Sequence, residues 1–227
     1  MPPEIDYGSL DYQRWTPVQR AAHLIIRFLV RLLFKVTIEG LEHVPERGAF
    51  VLAVNHLDYL DAPIVFAKMP RRMVAFAANK WKNSHFTGVL LTYVGTAIYV
   101  DRGAPDRKAL AAALAVLKAG GALGMAPEGT RSPTGGLTKG HTGVAYLATR
   151  GAAPVLPMVA YGQEQSGRYW KRLRRAPVHV RIGPLIHLPQ GKARTEQLHE
   201  YTDQIMLTLA RLLPEAYRGV YGERVKG

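Results

Sequence analysis

The sequence predicts an α/β fold, a largely parallel sheet flanked by helices and preceded by one amphipathic helix. Three observations carry this. Short apolar runs of strand length alternate with helical segments from about residue 36 onward. A basic stripe recurs at helical spacing in the segment before them. The 227 residues are 48% apolar and 21% charged, the balance of a chain that buries a substantial core. The expected division is an N-terminal segment with its helix over 1–35 and an α/β domain over 36–227.

In chain order, Met1–Trp15 is polar and holds Glu4, Asp6 and Asp11, unlike a secretory leader, so none is expected. Thr16 suits an N-cap and Pro17 the first helical position, and the helix they open runs to about Lys35. Within it Arg20, His23, Arg27 and Arg31 form one stripe, and the rest of its surface is largely Val, Leu, Ile and Phe. With no apolar run of spanning length, this helix is not expected to cross a bilayer. Two settings meet the pattern: a core helix with a solvated basic edge, and a helix lying in the membrane interface. The interface helix is the expectation adopted.

Strands follow at 36–40, 50–55, 71–78, 96–101, 122–127, 155–161 and 178–183, with a turn around Pro45 to Gly48. Helices are expected over Asp61–Lys68, over the alanine-rich stretch 106–119 that Gly120 and Gly121 end, over 140–150, and from about Thr195 to Leu213 before Pro214. Pro157 has no amide proton, which disfavours a central ladder position unless it sits at a bulge or an edge.

Lys and Arg number 30 against 17 Asp and Glu, a formal charge of +13. Such a field draws anions: nucleic acid, phosphate-bearing substrates or an anionic membrane face. The densest cluster is RYWKRLRRAPVHVR at 168–181. There is no cysteine, which excludes disulfides, thiolate zinc sites and a cysteine nucleophile. The serines, Ser9, Ser84, Ser132 and Ser166, lie outside any G-x-S-x-G elbow, against a serine hydrolase.

Four segments carry chemistry-bearing residues. In VLAVNHLDYLDAP, His56 and Asp61 stand five apart where a strand gives way to a helix, the edge at which open α/β sheets hold ligands. On a regular helix that spacing separates two directions by ~140°, so the pair meets only if the turn folds His56 back over Asp61. The carboxylate would then orient the imidazole as a base; a turn histidine capping a helix meets the same spacing. PEGTRS places Glu128, Gly129, Thr130 and Arg131 after an apolar strand, where an Arg fork suits phosphate and a local Glu–Arg ion pair is the plainer reading. GTAIYVDRG delivers Arg102 to another strand end, where taken alone a solvated loop charge is the plainer reading, and VLPMV is an apolar strand suited to core packing.

Content and order together resemble the glycerophospholipid acyltransferase family, especially 1-acyl-sn-glycerol-3-phosphate acyltransferases. That family's N-H-x4-D, G-x-x-(F/I/V)-x-R, E-G-T-R and apolar V-P-(I/V) segments are similar to NHLDYLD, GTAIYVDR, PEGTRS and VLPMV here, within a likeness spanning roughly 36 to 190. The resemblance implies His56 as general base with Asp61 as its partner. It implies Arg102, Glu128, Gly129, Thr130 and Arg131 as the grip on a glycerol phosphate, with Lys80 of ANKWKN near the phosphate. Departures fall at Leu57, Asp58 and Trp81. It further implies a glycerol-3-phosphate acyltransferase-like fold and no cofactor, with acyl-CoA or acyl-carrier protein as donor substrate and a lysophospholipid as acceptor. The sn-2 hydroxyl of 1-acyl-sn-glycerol 3-phosphate is the acceptor expected, with another lyso-lipid or glycerol 3-phosphate as alternatives. Partnership with an anionic phospholipid membrane is expected, peripheral or monotopic at the cytoplasmic face. A nucleic-acid partner is not, because the ordered set of four motifs would then be coincidence. Backbone N–H groups near Gly129 are candidate donors to a reaction oxyanion.

Overall fold

Thr16 begins the first helix as its sequence suggests. Its hydroxyl accepts from the Gln19 N–H and its own N–H donates to Gln19 Oε1, a reciprocal cap with Pro17 at the first turn. A computed structural model describes residues 5–82, 84, 88, 91, 96–100 and 106–225. Arg102, with Gly95, Asp101 and Gly103 of the same segment, lies outside the described residues.

Helix α1 (Pro17–Leu33) runs directly into β1 (Phe34–Glu39), so the strand starts two residues before the expected boundary at 36. There follow β2 (Phe50–Val54), α2 (Asp61–Lys68), β3 (Met73–Ala78), β4 (Ile98–Val100), α3 (Arg107–Lys118), β5 (Ala122–Met125), α4 (Gly143–Arg150) and β6 (Val155–Tyr161). A short α5 (Ser166–Trp170), not expected from the sequence, precedes β7 (Ala176–Ile182) and α6 (Thr195–Leu212). The strands form one sheet in the order β1-β7-β6-β2-β5-β3-β4. Every neighbouring pair is parallel except β6 and β7. That single reversal brings the amino ends of β1 and β7 to the same sheet edge as the carboxyl ends of the central strands.

Strands buried on both faces read as continuous apolar runs, and β6 (VLPMVAY) is buried throughout. In β2, Val51 and Ala53 point to the side covered by α3, α4 and α6, where Ala113, Leu147 and Leu209 are packed. Phe50 and Leu52 point to the other side, beneath Val30 of α1 and Ile64 of α2. Pro157 does sit in an interior strand. Its carbonyl accepts from the Gly183 N–H just past the end of β7, and the β6–β7 ladder begins at Met158 opposite Ile182. The missing amide proton thus falls where that ladder has stopped, while Pro157 keeps its place beside Ala53 of β2.

The apolar face of α1 is turned outward. Leu24, Ile25, Phe28, Leu29, Leu32 and Leu33 are all exposed, Phe28 to 64%, while Gln19 and Val30 are its buried residues. His23, grouped with the arginines by spacing, instead packs in a three-ring cluster with Trp15 at 4.7 Å and Phe66 at 5.2 Å, and burial pulls its pKa down. Among the described residues no helix is long and apolar enough to cross a membrane.

Candidate active site

Neighbouring strands deliver the site's residues to one edge. His56 follows β2, Pro127–Ser132 follows β5, and Asn79–Trp81 follows β3. Asn55, fully buried, seals the end of β2 to β6: its amide donates to the Ala160 carbonyl at 2.9 Å and accepts the Ala160 N–H at 2.8 Å. His56 is thereby held at the sheet edge with its side chain one-quarter exposed.

The turn folds back as the spacing required. His56 Nδ1 lies 2.7 Å from Asp61 Oδ2, and Asp61, the first residue of α2, is only 4% exposed. The same oxygen accepts the N–H groups of Leu57 at 2.7 Å and Asp58 at 3.0 Å. Those groups can only donate, so Oδ2 is the acceptor and the proton of the His56 contact belongs on Nδ1. Nε2 keeps its lone pair, the arrangement of an oriented base. Asp61 Oδ1 accepts from Gln163 Nε2 at 2.7 Å, so both carboxylate oxygens are engaged.

Glu128 is turned inward rather than toward a ligand. Its Oε1 accepts the His56 N–H at 3.1 Å, and its Oε2 accepts the Thr138 N–H at 2.8 Å and hydroxyl at 2.9 Å. At 2% exposure, burial pushes its carboxyl above the usual range, opposed by those bonds from Thr138 and His56. An anionic phosphate would gain nothing from this carboxylate; the side chain braces the backbone that carries the imidazole. The Ser132 N–H adds a second tie, donating to the His56 carbonyl at 2.8 Å.

Arg131 reaches the same edge. Its guanidinium carbon lies 3.7 Å from the ring centroid of Tyr59. Tyr59 meets Trp81 edge-on at 6.2 Å, and Lys80 Nζ lies 5.3 Å from the Trp81 ring. Two cations separated by 51 positions in the sequence thus share one aromatic rim. Gly129 and Thr130 are exposed beside it. Gly129 has φ +68°, a conformation that favours glycine, and a Cβ there would meet the His141 ring tightly at 3.2 Å. The Gly129 N–H donates to the Ala126 carbonyl at 3.1 Å, which removes it from the candidate oxyanion donors.

A sequence model of the Acyltransferase family matches residues 35–161, more than half of the chain. This chain belongs to the Acyltransferase family. It is 27% identical over 201 residues to a 1-acyl-sn-glycerol-3-phosphate acyltransferase of Cocos nucifera, covering 86% of this chain and 64% of that protein. It is also 27% identical over 130 residues to the protein of that name in Borreliella burgdorferi, covering 56% and 51%. The chain thus spans between half and two thirds of the length of these two relatives. Among solved structures, the 1-acyl-sn-glycerophosphate (LPA) acyltransferase PlsC of Thermotoga maritima shares the fold, with TM-score 0.64 and 22% identity over 82% of this chain and 77% of that one.

In this Acyltransferase-family chain, then, His56, Asp61, Lys80, Gly129, Thr130 and Arg131 gather at one edge, with Glu128 behind them. Three contributors were not singled out from sequence. Tyr59 sits inside the His56–Asp61 motif, where its place between two site residues was an available signal. Thr138 and Gln163 gave none; Gln163 lies 102 positions from the carboxylate it holds. Among the described residues no group of three or more His, Asp or Glu side chains is arranged to hold a metal ion.

Proposed function

We propose that the chain transfers a fatty acyl group from acyl-CoA or acyl-carrier protein to the sn-2 hydroxyl of 1-acyl-sn-glycerol 3-phosphate, forming phosphatidic acid for phospholipid biosynthesis. The observation that carries the reading is the 2.7 Å contact between His56 Nδ1 and an Asp61 carboxylate committed as acceptor, at the edge that holds Arg131 and Lys80. Nε2 takes the proton of the acceptor hydroxyl as its oxygen bonds to the thioester carbonyl carbon. The carbonyl oxygen becomes a tetrahedral oxyanion, which donors at the site stabilise. The carbon–sulfur bond then breaks, and the imidazolium returns its proton to the leaving thiolate. Asp61 stabilises the imidazolium in between. Lys80, Arg102 and Arg131, with the exposed Thr130 beside them, hold the acceptor phosphate, and Gly129 supplies the left-handed turn that precedes Arg131.

The reaction is placed at the cytoplasmic face of the cell membrane. The outward apolar face of α1, with Arg20, Arg27 and Arg31 beside it, suits a helix lying in the interface of an anionic bilayer. The test crosses acyl-CoA and acyl-carrier-protein donors with lysophosphatidic acid, other lyso-lipids and glycerol 3-phosphate. Lysophosphatidic acid is expected to turn over fastest. His56→Ala is expected to lower turnover by at least ~10²-fold. A folded variant with near wild-type turnover refutes the assignment.

A further inference from the structure

The turn between α5 and β7 holds a leucine in an unfavourable place. Leu173 is 99% exposed, with φ +53°. Its N–H donates to the Trp170 carbonyl and the Arg174 N–H to that of Tyr169, so Leu173 occupies the left-handed closing position that ordinarily calls for glycine. A β-carbon there brings strain and the isobutyl group brings apolar surface in water.

Its surroundings explain the choice. A groove of about 230 Å³ lined by Leu32, Leu33, Trp170, Leu173, Arg174 and Arg175 joins the tip to the end of α1. Two bonds fasten them: Trp170 Nε1–H donates to the Leu33 carbonyl at 3.1 Å, and Arg175 Nη1 to the Arg31 carbonyl at 3.2 Å. The tip therefore extends the outward apolar face of α1. No Asp or Glu occurs between Asp11 and Glu39, or between Glu164 and Glu196. An apolar point flanked by Arg172, Arg174 and Arg175, in two segments that carry no acid, complements headgroup phosphates lying over hydrocarbon. A folded acidic protein would meet the arginines yet leave the leucine and the α1 face in water; a bilayer covers all three.

The sheet gives the tip its orientation. Because β7 and β1 run against β6, the tip stands at the edge from which His56 emerges. β1 lies three strand spacings from β2 in the sheet order, roughly 14 Å.

We propose that residues 171–175 enter an anionic lipid leaflet beside α1, with Leu173 in the acyl boundary and the three arginines at lipid phosphates, turning the His56 edge toward the membrane. This rests on the membrane docking proposed above and adds a second contact. One helix lying flat can roll about its axis; a fastened tip at its end prevents that and presents the site to lipid still held in the leaflet.

The absence of cysteine allows a single fluorophore at L173C, with K118C at the end of α3, on the opposite sheet edge, as control. With phosphatidylcholine vesicles containing phosphatidylglycerol, the label at 173 shifts to the blue and is quenched by nitroxide on the lipid chains, while the label at 118 is unchanged. L173D weakens partitioning by roughly tenfold or more, with thermal midpoint and turnover of detergent-dispersed acceptor unchanged. Wild-type chain that pellets with the vesicles while the 173 label stays in water, or while L173D partitions equally well, overturns the tip contact and leaves docking by α1 standing. Wild-type chain that remains in the supernatant overturns both. A 173 label that answers to acyl-carrier protein and not to lipid makes the tip a protein site and likewise overturns the proposal.

Discussion

Asp61→Asn isolates what the buried carboxylate does for the imidazole. The substitution preserves shape and one acceptor oxygen, so the Leu57 and Asp58 N–H groups can keep their partner at the Oδ2 position. The new amide then faces Gln163 Nε2, which lies 2.7 Å from Oδ1, and the Gln163 amide must flip to accept from it. The removed quantity is the negative charge beside a ring that becomes positive only as the hydroxyl proton moves. Unit charges about 4 Å apart attract by about 4 kcal/mol at an effective dielectric constant near 20. Water at the quarter-exposed ring trims this to about 3 kcal/mol. The fall in kcat is then 10²- to 10³-fold at ~1.4 kcal/mol per decade. KM for the acceptor changes little, because the interaction develops in the transition state. A chromogenic disulfide reagent reads the CoA thiol directly, since the protein contributes no thiol of its own. On a His56→Ala background, Asp61→Asn should change the rate by less than about threefold, because the two groups act as a unit. A folded Asp61→Asn chain with kcat within threefold of wild type, or full multiplicative losses in the double variant, refutes the reasoning.

Other expectations follow from the same edge. Arg131→Ala raises acceptor KM with a smaller effect on kcat; Tyr59→Ala raises it about 3- to 30-fold by removing the face on which the guanidinium lies, and Tyr59→Phe retains it. Unchanged acceptor KM in Arg131→Ala, with weakened thioester binding, would reassign the arginine. Gln163→Glu sets a second carboxylate against the buried Asp61. Two such groups resist joint ionisation, so this variant's thermal midpoint, measured against wild type, is lowest at neutral pH and recovers on acidification. Glu128, whose folded pKa is raised by burial, holds its proton more tightly folded than unfolded. Its contribution to stability is therefore greatest below the unfolded value of 4.5 and declines as pH rises toward the folded one. The melting advantage of wild type over Glu128→Gln accordingly shrinks over that rise, and a flat difference would show that Glu128 titrates as it does unfolded. The same variant loses turnover at neutral pH, because a glutamine amide cannot accept both the His56 and the Thr138 N–H groups.

Local periodicity and turn chemistry, properties of neighbours along the chain, made the order of strands and helices legible. Thr16 with Pro17 sets the start of α1, Gly120 and Gly121 follow the end of α3, and α2 occupies Asp61–Lys68 as expected. The His56–Asp61 pair was readable for the same reason, since both residues belong to one turn. Short α5 was not, because five residues carry too little period to distinguish from a loop.

What the sequence by itself determined, then, is the α/β alternation, the positive field and the residues that could serve an oriented base beside phosphate. Tertiary structure alone decided that β7 runs against β6, that the apolar face of α1 points outward, that Gln163 completes the cradle of Asp61, and that Glu128 braces His56 from 72 positions away. The physical reason is that burial and hydrogen-bond pairing depend on which distant segments meet. A glutamate suited by type to face a ligand is turned inward once the His56 N–H at another strand end and the Thr138 N–H of its own loop meet its two oxygens.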